Sequence, residues 1–148
     1  MDYKYSTKTE QNEAKAVGMA MPISFKQSVE VCSYIRGKRL QNSINRLNKV
    51  AQGLLAVPYR RYNKGGVGHR RGMATGRYPK KTCLEIIKVL EDAQANAQHK
   101  GLDTNKLIIK HISAQKAAKQ PHYGRKRRTT MKRTHIEAVV KEEAGKND

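Results

Sequence analysis

Apolar residues recur at helical spacing in three stretches of the chain. Phe25, Val29, Cys32 and Ile35 form the first, with Gly37 as a stop, and predict a helix over about 25–36. Ser24 and Gln27 stand at the spacing of a capping box in front of it. Leu40, Ile44, Leu47, Ala51, Leu54 and Leu55 keep a 3.6-residue period and predict a second helix over about 41–56. Gly53 inside that helix costs up to ~1 kcal/mol relative to alanine and softens its last turn, and Pro58 ends it. Pro79 suits the first turn of a third helix. Cys83, Ile86, Ile87, Leu90, Ala93 and Ala97 mark its buried face, and Gly101 closes it.

Strand signals lie mainly in the last third. KLIIKHISA (106–114) and THIEAVV (134–140) are β-rich, and Tyr3–Ser6 could form a further short strand. Between the two β-rich segments, QKAAKQPHYGRKRRTTMKR carries eight basic residues, no acid and no apolar alternation. This reads as a long antiparallel hairpin whose base packs on the helices and whose arms project, with Pro121 and Gly124 placing the turn near 121–124. Arms of about 15 residues reach about 50 Å at ~3.3 Å per residue. The chain then divides into a mainly helical part over about 1–105, a hairpin over about 106–141 and a polar tail at 142–148, within one domain of 1–148. Residues 57–78 form a glycine-rich basic loop, long enough to suggest function.

Charge sharpens this picture. The chain carries 31 Lys and Arg against 12 Asp and Glu, a net charge of +19. No acid occurs between Glu30 and Glu85 or between Asp103 and Glu137, and those stretches hold 23 of the 31 basic residues. Such segregation points to a large polyanion as partner. With no Trp and one Phe, the Ile, Leu, Val and Ala present can cover one modest helix-and-sheet core. They leave the long basic segments to be ordered by the partner. No apolar run approaches a membrane span, and the N-terminal MDYKYSTKTEQNEAK lacks a signal peptide's apolar core, so a cytosolic, reduced protein is expected. Cys32 and Cys83 fall on apolar helical positions, outside any zinc-binding spacing.

KGGVGHRRG (64–72) matches the first half of one phosphate-binding P-loop variant. Its second half needs Lys and then Ser or Thr, and has His69 and Arg70 instead. Neither a buried strand before it nor a helix directly after it is in prospect. The five histidines have no carboxylate placed to orient them, and no metal spacing or catalytic order emerges. The loop instead interleaves Arg60, Arg61, Arg70, Arg71 and Arg77 with Tyr59, Tyr62 and Tyr78. Arginine forks pair with phosphates, and aromatic planes stack on unpaired bases, as in recognition of irregular RNA. RKRR (125–128) with Lys132 and Arg133 continues that chemistry on the hairpin, although such a run also occurs in targeting signals.

The stretches PISFKQSVEVCSYIRGK, AVPYRRYNKGGVGHRRG, TGRYPKK, LEDAQANAQHKGLD and IKHISAQKA, with HIEAVV near the end, carry a resemblance. The sequence resembles the universal large-subunit ribosomal protein family numbered twenty-two, in its archaeal and eukaryotic branch, whose eukaryotic members are numbered seventeen. The resemblance implies an α+β fold of three helices packed on a small antiparallel sheet, with a long extended β-hairpin. It implies a structural role in the cytoplasmic large subunit without catalysis or cofactor. The implied partners are large-subunit rRNA, neighbouring ribosomal proteins and the nascent polypeptide of the exit tunnel, with no membrane and no small-molecule substrate. The segment after His111 is a few residues shorter than is usual in the family, and RKRRTTMKR departs from a typical tip.

The residues so assigned to rRNA are Arg36, Lys38, Arg39, Tyr59, Arg60, Arg61, Tyr62, Lys64, Gly65, Gly66, Gly68, His69, Arg70, Arg71, Arg77, Lys80 and Lys81. The hairpin adds Lys116, Lys119, Arg125, Lys126, Arg127, Arg128, Lys132 and Arg133. Gln120, Pro121, His122, Tyr123, Gly124 and Arg125 are the expected tunnel-lining tip. A free-standing RNA- or DNA-binding regulator is the competing class, and it would wash off the large subunit in high salt.

Overall fold

The structure, a computed structural model, describes residues 3–8 and 10–143. Most of the expected polar tail lies outside the described residues. The chain runs β1 (Glu13–Met21), α1 (Phe25–Ile35), α2 (Leu40–Gln52), β2 (Val57–Pro58), β3 (Gly76–Arg77), α3 (Lys80–His99), β4 (Leu107–Lys116) and β5 (Thr134–Glu142). Strands β1, β5 and β4 form an antiparallel sheet in that order, with β5 central. The three helices cover one face of this sheet: α3 lies against β1 and β5, α1 against β4, and α2 stacks on α3. This is the α+β arrangement expected.

The core is aliphatic. Ile23, Ile35, Leu47, Ile86, Leu90, Ile109, Ile112 and Ile136 are all within 2 % of full burial. Cys32 and Cys83 join it, and burial pushes both thiols up to about 12. Neither is therefore expected to react with a thiol reagent at pH 8 in the native protein, while both react after unfolding. Rapid labelling of native protein would contradict the packing.

Several local outcomes differ from expectation. The edge strand β1 occupies a segment that the sequence pattern left as polar, and Tyr3–Ser6 is not a strand. That segment instead crosses the sheet face away from the helices. There the Glu137 carboxylate, fully buried, accepts hydrogen bonds from Ser6 (backbone N–H and Oγ), Ser113 Oγ and Tyr3 OH, with His111 Nε2 3.0 Å away. Burial raises the pKa of this carboxyl, but the hydrogen bonds outweigh it and hold it down at about 2.

The capping box does not form. Ser24 makes no side-chain cap bond, and Gln27 Oε1 accepts from Thr82 Oγ1 on α3, so a tertiary partner outcompetes the local one. The second helix stops at Gly53, not at Pro58. Gly53 sits at φ +85°, and its left-handed turn satisfies the last carbonyls, leaving Leu54 exposed.

Beyond Lys116 and Thr134 the hairpin has no regular ladder but is still paired. Ala117 N–H donates to Arg133 O, Met131 N–H to Gln120 O, and His122 N–H to Thr129 O. Pro121 bridges Thr130, and a short 3-10 turn at Gly124–Lys126 forms the apex. The turn is thus displaced from the expected 121–124. Pro121 is accommodated in an arm, and the positive φ of +65° falls at Gly124. None of residues 117–133 is buried, so the arms have no core of their own.

Candidate nucleic-acid interface

The glycine-rich loop is closed at its base by the pair of short strands β2 and β3. Strand alternation there turns Val57 and Tyr59 inward and Arg60 outward. Tyr59 N–H donates to Thr75 O and Thr75 Oγ1 to Tyr59 O, which locks the register. Tyr59 is only 4 % exposed, so its ring cannot stack on a base as the sequence suggested. Its hydroxyl is buried with no partner among the described residues, and burial pushes its pKa up to about 12. Tyr59→Phe is accordingly expected to leave RNA affinity within twofold and the melting temperature unchanged or raised, because it removes an unsatisfied polar atom. A large loss of affinity would restore the stacking role.

Glu30, a polar position of α1, organises the next three residues. Its carboxylate, 3 % exposed, accepts the backbone N–H groups of Arg60 (3.1 Å), Arg61 (2.9 Å) and Tyr62 (2.6 Å). The one acid beside the arginine block thus holds its backbone and leaves the guanidiniums free. Sequence reasoning missed this, since an isolated glutamate on a helix face reads as solvated. Further on, Gly65 and Gly66 both take φ +79°, while Gly68 does not need a left-handed backbone. Arg70 pairs through its backbone with Met73 and stands 5.7 Å from the Tyr78 ring centroid.

Arg61, Tyr62, Lys64, Gly65 and Arg77 line one side of a trough whose other side is Ser24, Lys26, Gln27 and Lys132. A second hollow continues from it, shared at Ser24, Lys26 and Lys132, and is walled by Phe25, Lys116, Lys119 and Arg133. Loop and hairpin, far apart in sequence, are thereby joined into one basic channel containing no carboxylate. Lys26 is the residue at the junction, 5.7 Å from the Tyr62 ring centroid, and was not among the expected contacts. It stands outside the acid-free runs, so charge segregation could not find it. The first turn of α1, which has no side-chain cap, opens on the same channel and adds its positive end.

The remaining candidates are scattered. Arg36 donates to Ile112 O, and Arg39 pairs with Glu143 at 3.1 Å, so both are engaged within the fold. Lys38 lies over the Tyr34 ring at 4.1 Å. Lys80 and Lys81 begin α3, beyond the lining of the channel. His69 and Arg71 are exposed on the loop. Arg125, Lys126, Arg127 and Arg128 crowd the exposed apex beside Tyr123, while Gln120 and Pro121 sit on the rising arm. Among the described residues, no Lys or Arg of 57–81 or 116–133 makes an ion pair. The described residues also hold no cluster of His, Cys, Asp and Glu suited to a metal.

Residues 16–141 match the family described as ribosomal protein L22p/L17e. A protein of Archaeoglobus fulgidus named large ribosomal subunit protein uL22 is 44 % identical over 119 residues, covering 78 % of this chain and 76 % of that protein. Proteins of the same name from Methanococcus aeolicus and Staphylothermus marinus are 35 % and 36 % identical, covering 93 % and 95 % of this chain and 95 % and 96 % of their own lengths.

Proposed function

The chain belongs to the L22p/L17e family of ribosomal proteins, and on that footing we propose that its basic channel and hairpin grip the rRNA of the large subunit, with the hairpin apex lining the peptide exit tunnel. Membership makes it a structural constituent of the cytoplasmic large ribosomal subunit, not an enzyme, and a partner of rRNA and ribosomal proteins. The observation that supports the finer reading is the continuity of cations from Arg61, Lys64 and Arg77 through Lys26 to Lys132 and Lys116, with no carboxylate between them. A free-standing surface would mix its charges. RNA phosphates supply the missing anions, and they order arms that have no core of their own. The exposed apex, with Tyr123 88 % accessible, is free to meet the nascent chain in the tunnel wall.

Salt dependence tests this. If loop and hairpin neutralise about eight phosphates, log K for large-subunit rRNA falls against log salt with a slope of about −6 to −7. A slope near −2 would mean that most of these side chains face water in the complex.

A further inference from the structure

The segment ahead of β1 makes a third layer on the sheet. Strand alternation sends Ile136, Ala138 and Val140 towards the helices, and His135, Glu137 and Val139 to the opposite face. On that face β4 sets Gln115, Ser113 and His111 opposite them in register. Residues 3–8 lie across this face, where Glu137 and Val139 are fully buried although they point away from the helical core. None of residues 3–8 is itself buried. Their polar attachments converge on one carboxylate. Ser6 N–H donates to Glu137 Oε2 at 3.2 Å and Ser6 Oγ donates to Oε1, while Tyr3 OH stands 3.2 Å from both Glu137 Oε2 and Gln115 Oε1. Ser6 Oγ also lies 3.1 Å from His111 Nε2. The Tyr3 ring centroid is 5.1 Å from that of Tyr5 and 6.4 Å from that of His135. Gln115 and His135 pair on the second-last rung of the β4–β5 ladder, next to Lys116 and Thr134, where regular pairing stops. One short segment thus touches both strands at the point where the basic arms begin.

We propose that residues 3–8 are a releasable strap, latched by Ser6 on Glu137, and that its closing stiffens the root from which the hairpin arms project. A segment with no buried residue, held mainly through one carboxylate, opens at lower cost than a core packed on the other side of the sheet. Open, the strap uncovers Glu137 beside His111 and leaves the Gln115–His135 rung without its brace. Closed, it ties that rung to the sheet and holds the arms in their direction.

Amide hydrogen exchange on the full-length chain tests this, with residue 6, the hairpin root (113–116 and 134–137) and the helices read separately. Ser6→Asp sets a second carboxylate against Glu137 from an exposed position. It is expected to speed exchange at residue 6 and at the root by about tenfold or more, because like charges at this range repel and a hydrogen bond to a charged acceptor is lost. Ser6→Ala keeps the backbone donor and has a smaller effect. Adding Glu137→Gln to Ser6→Asp removes the repulsion and returns part of the protection. Exchange in α1, α2 and α3 stays as in the wild type throughout. If Ser6→Asp leaves residue 6 and the root protected, the segment is not latched. If residue 6 is released while the root keeps its protection, the strap braces nothing. Equal losses in the helices would make the segment part of the core, and no recovery with Glu137→Gln would remove Glu137 as the latch.

Discussion

Glu30→Ala is expected to lower the unfolding free energy by about 2–4 kcal/mol, and the melting temperature by about 5–12 °C at this chain length. One carboxylate accepts three consecutive amides, and alanine leaves those donors to whatever water can reach them. Hydrogen bonds to a charged acceptor contribute more than neutral ones, and part of the loss is recovered because Arg60 and Arg61 lie at the surface. RNA binding falls with stability, because the turn that presents Arg60 and Arg61 is no longer held. Glu30→Gln separates the two effects. It keeps one acceptor oxygen but presents an amide group to N–H donors, so its loss is intermediate. A melting temperature within a degree of wild type for Glu30→Ala, with unchanged affinity, would show that the loop holds its own shape and that Glu30 organises nothing.

Deletion of Lys116 to Arg133, closed by a short turn, is expected to leave the helical domain folded with its melting temperature changed by only a few degrees. Thr134 and the rest of β5 remain, and with them the buried Ile136, Ala138 and Val140. None of the excised residues is buried. The consequences for RNA are large, since eight basic residues leave together. The salt slope flattens by about 3–4 if the hairpin makes half of the phosphate contacts. The truncated chain still enters the large subunit through the loop and Lys26, and the chemical-probing pattern of the tunnel wall changes. Unfolding of the variant would place the segment in the core. Incorporation with an unchanged tunnel would show that the apex does not reach it.

The helices were legible in the sequence because aliphatic residues at a 3.6 period leave few alternatives, and their faces are those buried. β1 was not, because its inward positions are Ala14, Ala16 and Gly18, which bury so little area that the alternation hardly shows. The hairpin was visible through its lack of a core, but its apex was displaced because Pro121 and Gly124 both signal turns and only the second is at one. Within the site, the run of arginines was readable from charge alone. The burial of Tyr59 followed from a two-residue strand too short to announce itself. The roles of Glu30 and Lys26 depend on α1 lying between loop and hairpin, which is a property of the packing and has no local signal.

The most direct measurement is ultraviolet crosslinking of intact large subunits containing this chain, with the crosslinked peptides mapped by mass spectrometry. Nucleotides are expected on peptides from the loop around Arg60–Arg77, from the start of α1 around Lys26, and from the hairpin between Lys116 and Arg133. The outer face of α3, with Leu84, Lys88, Glu91 and Ala95, is expected to carry none. Crosslinks concentrated on that outer face, with the loop and hairpin unmodified, would contradict the account.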